Sequence, residues 1–242
     1  MVRNCMLAVA LAFTCSTAAS GQTLDEILLR HIQARGGLEN LKSIKSIRYT
    51  GKISAGGVDI PITVEQKRPN SLRVSFVQQG QQGVQAYDGK IGWTIPPVAG
   101  KREPEMMGPD ALRATIEEAD FDGPLVDYKE KGNNVALVSR EVVQGKNAFK
   151  LKLTLASGEV SYVYVDADSY LILREDVKRA IEGVETEATT EYGDYRRVGN
   201  LMIAHTIVSG SKGAGTPEKI MIDKVELNPA LDDGIFKMPP GN

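Results

Sequence analysis

The chain has 242 residues, with 29 Lys+Arg against 31 Asp+Glu and a formal net charge of −2 at pH 7. That balance gives no global electrostatic attraction to nucleic acid. Its two cysteines, Cys5 and Cys15, both fall at the extreme N-terminus, which excludes a disulfide framework, a thiolate nucleophile or a cysteine metal site from the body of the protein.

Met1–Asn4 carries one positive charge on Arg3, Met6–Phe13 is an uncharged apolar run, and Ser16–Gly21 supplies small residues. This order is that of a secretory signal over residues 1–20, with cleavage expected before Gly21 or Gln22, and the run is too short for a permanent membrane span. Cys15 follows Ala12-Phe13-Thr14, a poor match to a lipid-attachment box, so anchoring there is not expected. Removal of the signal leaves 28 Lys+Arg against 31 Asp+Glu in a single expected domain over residues 21–242. About 220 residues suffice for one domain with a sizeable core.

Thr23-Leu24-Asp25-Glu26 is a capping-box pattern. Leu24, Ile27, Leu28, His31 and Ile32 then share one helical face, which Gly36-Gly37 ends, and a short second helix is expected over Leu38–Lys42. From Ile44 the apolar period becomes two. Strands are expected around Ile47–Ile53, Ile60–Val64, Leu72–Phe76, Val84–Tyr87 and Ile91–Ile95, the last two joined by the Asp88-Gly89 hairpin signal. Residues 98–132 lose the alternation, which predicts short helices and a loop carrying Met106, Met107 and Leu112. Alternation returns at Val135–Leu137, Phe149–Leu155, Val160–Tyr164, Ile203–Ile207 and Ile220–Leu227. Some ten or eleven antiparallel strands around one helical insertion predict a mostly β fold: a half-open, strongly curved sheet or partial barrel, its concave face capped by helices.

Recognisable catalytic patterns are missing. The two histidines, His31 and His205, are far apart and read as packing or surface residues, and no phosphate loop, zinc-protease helix or nucleophile elbow occurs. Composition and alternation alone leave open whether the curved sheet is filled by its own side chains or encloses a ligand space.

Three segments bear on that choice. Lys67-Arg68-Pro69-Asn70, Tyr87-Asp88-Gly89-Lys90-Ile91-Gly92-Trp93 and Phe236-Lys237-Met238-Pro239-Pro240-Gly241, in that order, resemble the periplasmic lipoprotein-carrier family, the outer-membrane lipoprotein-sorting chaperones. The stretch from Ala34-Arg35-Gly36-Gly37 to Thr50-Gly51 is similar to an N-terminal block of uncharacterised members. The resemblance implies a half-open barrel with a hydrophobic cavity, no cofactor and no catalysis. It also implies that Arg68 latches a helical lid through hydrogen bonds to lid backbone, while Asp88-Gly89 is a turn. Expected cavity residues are Leu72, Val74, Phe76, Trp93 and Ile95 from the sheet, with Met106, Met107 and Leu112 from the flap. The implied protein is a soluble, periplasmic, monomeric carrier of lipoproteins or other acylated ligands, with a donor at the inner membrane and an acceptor at the outer membrane. The competing expectations are a lipid or lipoprotein sensor or scaffold on the same fold and, third, an envelope hydrolase.

Overall fold

The computed structural model describes residues 22–100, 103–181, 184–211 and 215–240, the side chains of 179–185 excepted. The expected signal segment lies outside the described residues. Among the described residues no helix is long and apolar enough to cross a membrane.

Helix α1 (Leu24–Ala34) begins with the reciprocal capping box: the Thr23 side chain accepts from the Glu26 amide, and the Glu26 carboxylate accepts from the Thr23 amide. Ile27, Leu28 and His31 form its buried stripe. Arg35 caps the helix, and Gly36 follows at φ +123°. A Cβ on Gly36 would stand 2.2 Å from the Asn200 carbonyl oxygen, so only glycine lets the chain press this close. The Met202 amide then donates to the Arg35 carbonyl at 3.1 Å, which fixes the end of α1 against the sheet. Helix α2 (Leu38–Ser43) leads into the sheet.

The first strands are β1 (Ser46–Ala55), β2 (Val58–Lys67), β3 (Ser71–Gln78), β4 (Gln81–Tyr87), β5 (Gly92–Ile95) and the short β6 (Glu105–Met106). Helix α3 (Pro109–Glu118) and a series of turns interrupt them. The sheet continues with β7 (Asn134–Val143), β8 (Lys146–Thr154), β9 (Val160–Asp166) and β10 (Ile172–Ile181). It ends with β11 (Val184–Val198), β12 (Leu201–Ser211) and β13 (Glu218–Leu227). All thirteen belong to one antiparallel sheet, ordered β6-β5-β4-β3-β2-β1-β13-β12-β11-β10-β9-β8-β7. Edges β6 and β7 do not pair, so the curled sheet stays unclosed, as the alternation and the resemblance both implied.

The strand count exceeds the ten or eleven expected because three strands carry weak apolar signals. β6 has two residues, and the β10–β11 hairpin is rich in charge and threonine. Cross-strand pairing supports that hairpin instead: Lys178 stands opposite Glu187, with their charged groups 2.7 Å apart.

Register assigns the two faces, since directly opposed residues point the same way. Ile62, Val64 and Gln66 of β2 oppose Phe76, Val74 and Leu72 of β3, and all six face the inside of the curl. Helix α1 covers the inner side of β8 and β9, where Phe149, Leu151, Leu153, Val163 and Val165 pack with Ile27 and Leu28. Helix α3 covers the inner side of β3–β5, where Leu112 and Ala119 pack with Leu72, Val74 and Tyr87.

Candidate ligand-binding chamber

Between these two packed regions the inner side chains do not meet. A chamber of about 410 Å³ remains, lined along the inner face of β2, β13 and β12 by Ile62, Val64, Ile203, Ile207, Ile220 and Ile222. A second space of about 500 Å³ adjoins it below α3, reaching Leu153, Leu155 and Val177. The two share Glu118, Pro124, Glu175, Tyr192, Ile207 and Ile220 as common wall. Spaces of this size are typical of small-molecule sites.

Tyr192 and Tyr195 both face the first chamber although they stand three positions apart. A regular strand would turn them to opposite faces. Asp194 between them adopts φ +49°, which resets the alternation so that both phenols turn inward. Tyr49 of β1 joins them, and burial pushes its phenol up to about 12 against the opposing pull of Arg35. Burial likewise raises Tyr192 and Tyr195. Glu118 has accessible surface toward the chambers but sits deep enough in the curl that burial raises its carboxyl above the usual range.

His31 lies on the chamber wall and is 1% exposed. Its Nδ1 is 2.8 Å from the Tyr170 carbonyl oxygen, which can only accept, so Nδ1 carries the proton. Burial first, then the Arg35 charge, lowers its pKa to about 4, so the ring is neutral at pH 7. The sign of the linkage follows: the unfolded imidazole gains a proton near pH 6.5 and the folded one only near 4. Stability is full above pH 6.5 and falls as the pH drops toward 4, by about 3 kcal/mol from this group alone. Urea denaturation between pH 7 and 4 is expected to show that loss in the native chain and a flatter profile in His31→Gln. His205 is buried elsewhere, with Nδ1 2.9 Å from the Ile203 carbonyl oxygen.

Beside the chamber lies a charged cluster centred on Asp122, whose side chain is 6% exposed. Arg68 donates to both carboxylate oxygens, at 2.8 and 2.5 Å, and also to the carbonyls of Ile44 at 2.7 Å and Leu41 at 3.0 Å. Its guanidinium lies over the Phe121 ring at 4.5 Å. Lys42 reaches Asp122 at 2.5 Å and Asp127 at 2.6 Å. Burial alone would raise the Asp122 carboxyl, but the hydrogen bonds from Arg68 and Lys42 overcome it and hold the group down at about 2. Arg68 therefore ties the end of β2 to α2 and to the segment after α3 at once.

The sequence-derived cavity residues divide between the two faces. Leu72, Val74 and Phe76 face inward, as the β2–β3 register requires. Leu72, Val74 and Leu112 pack together under α3 rather than on the open chamber. Phe76 covers Gly83, where an added Cβ would meet the ring at 2.3 Å. Met107 and Leu112 cover Gly92 on the inner side, at 3.0 and 2.5 Å from the position of a Cβ. Trp93 and Ile95 differ from the expectation by one register. The Asp88–Ile91 turn places Gly92 opposite inward Tyr87, so Trp93 pairs with Ala86, and Ile95 with Val84, on the outer face. There the Trp93 Nε1 donates to the Phe236 carbonyl at 2.8 Å. Met106 is opposite Trp93 on the same outer face and is 61% exposed. None of the eight walls either chamber. The residues that do are Arg35, the three tyrosines and the isoleucines of β12–β13. Arg35 stood in a quoted motif without a role, and Tyr192 and Tyr195 sit in a polar strand that gave no alternation signal.

These features define a class: an open antiparallel half-barrel whose helices and inner face leave an apolar space within the curl. Solved structures share this fold, a LolA superfamily protein among them. A LolA superfamily protein from Nitrosomonas europaea superposes with a TM-score of 0.61 at 14% identity, over 89% of this chain and 98% of the other. A domain assigned to outer-membrane lipoprotein sorting in Vibrio parahaemolyticus gives 0.57 at 15%, over 87% and 94%. A DUF1329 family protein from Desulfovibrio piger gives 0.61 at 12%, over 89% and 98%. No family model matches the chain, and no curated protein is significantly similar to it in sequence. The fold is thus the one the lipoprotein-carrier resemblance implied, and none of the three similar structures is named as an enzyme.

Proposed function

We propose that the chain binds the acyl part of a lipid or lipoprotein within the curl and carries it through the periplasm, without catalysis. The observation behind this reading is the pair of adjoining spaces of about 410 and 500 Å³, the first lined mainly by apolar side chains and the second by apolar side chains beside Glu117, Glu118, Asp120, Glu159 and Glu175. Leaving an acyl chain in water costs about 0.8 kcal/mol per methylene. A sixteen-carbon chain therefore resists crossing an aqueous gap by roughly 12 kcal/mol. An apolar space inside a water-soluble shell offsets most of that cost. The fold shared with a lipoprotein-sorting domain supports the same reading.

Release requires that the space be able to open. Arg68 is the proposed latch, because its bonds to Leu41, Ile44 and Asp122 hold α2 and the segment after α3 against the sheet. On release, α3 would withdraw Met107 and Leu112 from the inner face and expose Leu72, Val74 and Phe76 as additional wall. Trp93, Ile95 and Met106 have no place in this lining, since they face outward. The inner-membrane donor and outer-membrane acceptor belong to this proposal as its two ends.

The test is mass spectrometry under soft ionisation on protein purified from its envelope fraction without detergent. The expected result is a bound hydrophobic molecule in stoichiometric amount that organic solvent extracts. Protein that emerges empty, and that also fails to take up an added acyl probe, would refute the reading. A stoichiometric protein partner with no lipid would favour the sensor or scaffold.

A further inference from the structure

The chamber wall contains a half-buried cation whose charge the fold does not match. Arg35 lines both the main chamber and the small space next to the Asp122 cluster. Among the described residues its side chain makes one hydrogen bond, from Nη1 to the Asp122 backbone carbonyl at 2.6 Å. Among the described residues no carboxylate lies within ion-pair distance of it. The acidic groups whose charge it senses are Asp122 and Asp120. Both are committed elsewhere: Asp122 to Arg68 and Lys42, Asp120 to Lys131 through both oxygens at 2.5 and 2.7 Å. With Asp127 bound to Lys42, the cluster sets Arg35, Lys42, Arg68 and Lys131 against Asp120, Asp122 and Asp127. One positive charge is left over, and Arg35 carries it, facing the apolar space.

A desolvated guanidinium without a counter-ion is costly to fold and is retained where a ligand supplies the missing charge. A hydrogen-bond donor stands ready as well. Tyr49 is close enough to interact electrostatically with Arg35, and among the described residues its hydroxyl makes no hydrogen bond. Tyr195, the other nearby phenol, already donates to the Ile172 carbonyl at 2.8 Å. The chamber's own carboxylates, Glu118 and Glu175, stand on the wall it shares with the second space, where Tyr192 senses them.

We propose, resting on the acyl-binding reading above, that the occupant is an amphiphile with an anionic head, a carboxylate or phosphate monoester, paired with Arg35 and hydrogen-bonded by Tyr49. Its chain would extend along Ile207 and Ile220 into the second space. The acidic far end would disfavour the reverse orientation.

Calorimetric titration of the full mature chain at pH 7.5 with matched twelve-carbon probes tests this. The probes are dodecanoate, dodecyl phosphate, dodecanol and dodecyltrimethylammonium. At least one of the two anions is expected to bind ten-fold or more tighter than the alcohol, and the cation weaker than the alcohol. Arg35→Gln is expected to remove the anions' advantage over the alcohol, while Arg35→Lys keeps part of the preference. Because Arg35 also holds the Asp122 carbonyl, the four-probe comparison in the native chain stands as evidence without either variant. Equal affinity for all four probes would overturn the anion site and leave the acyl-binding reading intact. Binding of none would overturn both. Competition by inorganic phosphate as strong as that by dodecyl phosphate would assign the site to a free anion and overturn the amphiphile.

Discussion

Arg68→Leu is expected to destabilise the protein by about 3 kcal/mol, the usual cost of removing one partner from a buried charge pair. The loss arises because Asp122, 6% exposed, keeps its charge but retains Lys42 alone as a cationic partner. The Ile44 carbonyl loses its Arg68 donor in the same step, and the Leu41 carbonyl keeps only the Ile44 amide. The double variant Arg68→Leu/Asp122→Leu is expected to be less damaged than the single one, since no uncompensated carboxylate remains. Urea denaturation at pH 7 measures both. A change within about 0.5 kcal/mol for Arg68→Leu, the range of an ordinary surface substitution, would contradict the assignment.

The same cluster has a pH signature opposite in cause to that of His31 but alike in direction. Asp122 is held at about 2, below its ordinary value of 3.8, despite the burial that acts to raise it. Its contribution is complete above the unfolded value and is lost as the pH falls from about 4 through 2, amounting to about 2 kcal/mol. His31 weakens the native chain first, between pH 6.5 and 4, and Asp122 follows. Acid denaturation should therefore proceed in two ranges, the second absent from Asp122→Asn. If Arg68 is also the proposed latch, Arg68→Leu should release a bound acyl probe faster than the native chain does.

Ala204→Trp carries the second large expected effect. Ala204 lies on the wall of the main chamber, where an indole would occupy space that no native side chain fills. Affinity for an acyl probe is expected to fall more than ten-fold, with the unfolding midpoint unchanged or raised because an apolar void has been filled. Fluorescence titration paired with thermal unfolding separates the outcomes. Full retention of probe affinity in a folded Ala204→Trp variant would place the ligand elsewhere. Loss of affinity together with loss of folding would be resolved by Ala204→Leu, a smaller filling, which should weaken binding by an intermediate factor.

The fold was legible wherever one face of a strand is apolar. Ile47–Ile53, Ile60–Val64, Phe149–Leu155 and Ile220–Leu227 alternate because their inner residues pack or face the chamber while their outer ones meet water. The β10–β11 hairpin escaped because its inner face includes Glu175 and Thr190 and its outer face Arg174, Asp176 and Lys178, so neither period stands out. The capping box and the Asp88-Gly89 turn were readable because their chemistry is local: the Asp88 carboxylate accepts from the amides of Lys90 and Ile91 at 2.9 and 2.7 Å.

The site was harder to read than the fold, for reasons of distance and parity. Asp122 lies in an irregular segment and meets Arg68 54 residues away in sequence, a contact that no local pattern encodes. Alternation alone turns Trp93 and Ile95 inward, whereas the turn after Tyr87 shifts their strand by one. The inward Tyr192–Tyr195 pair depends on a left-handed Asp194, which alternation cannot anticipate. Arg35 was visible as part of Ala34-Arg35-Gly36-Gly37. Its meaning appears only once Gly36 is seen pressed against Asn200, which turns the end of α1 into the chamber wall.

The most direct test is where an acyl chain rests when the protein holds one. Methyl-labelled protein loaded with a deuterium-free fatty acyl probe is expected to show nuclear Overhauser contacts from the chain to the methyl groups of Ile207, Ile220 and Ile222. Contacts confined to outer-face residues such as Val77, Val84 and Ile95, with those isoleucines silent, would contradict an internal acyl site.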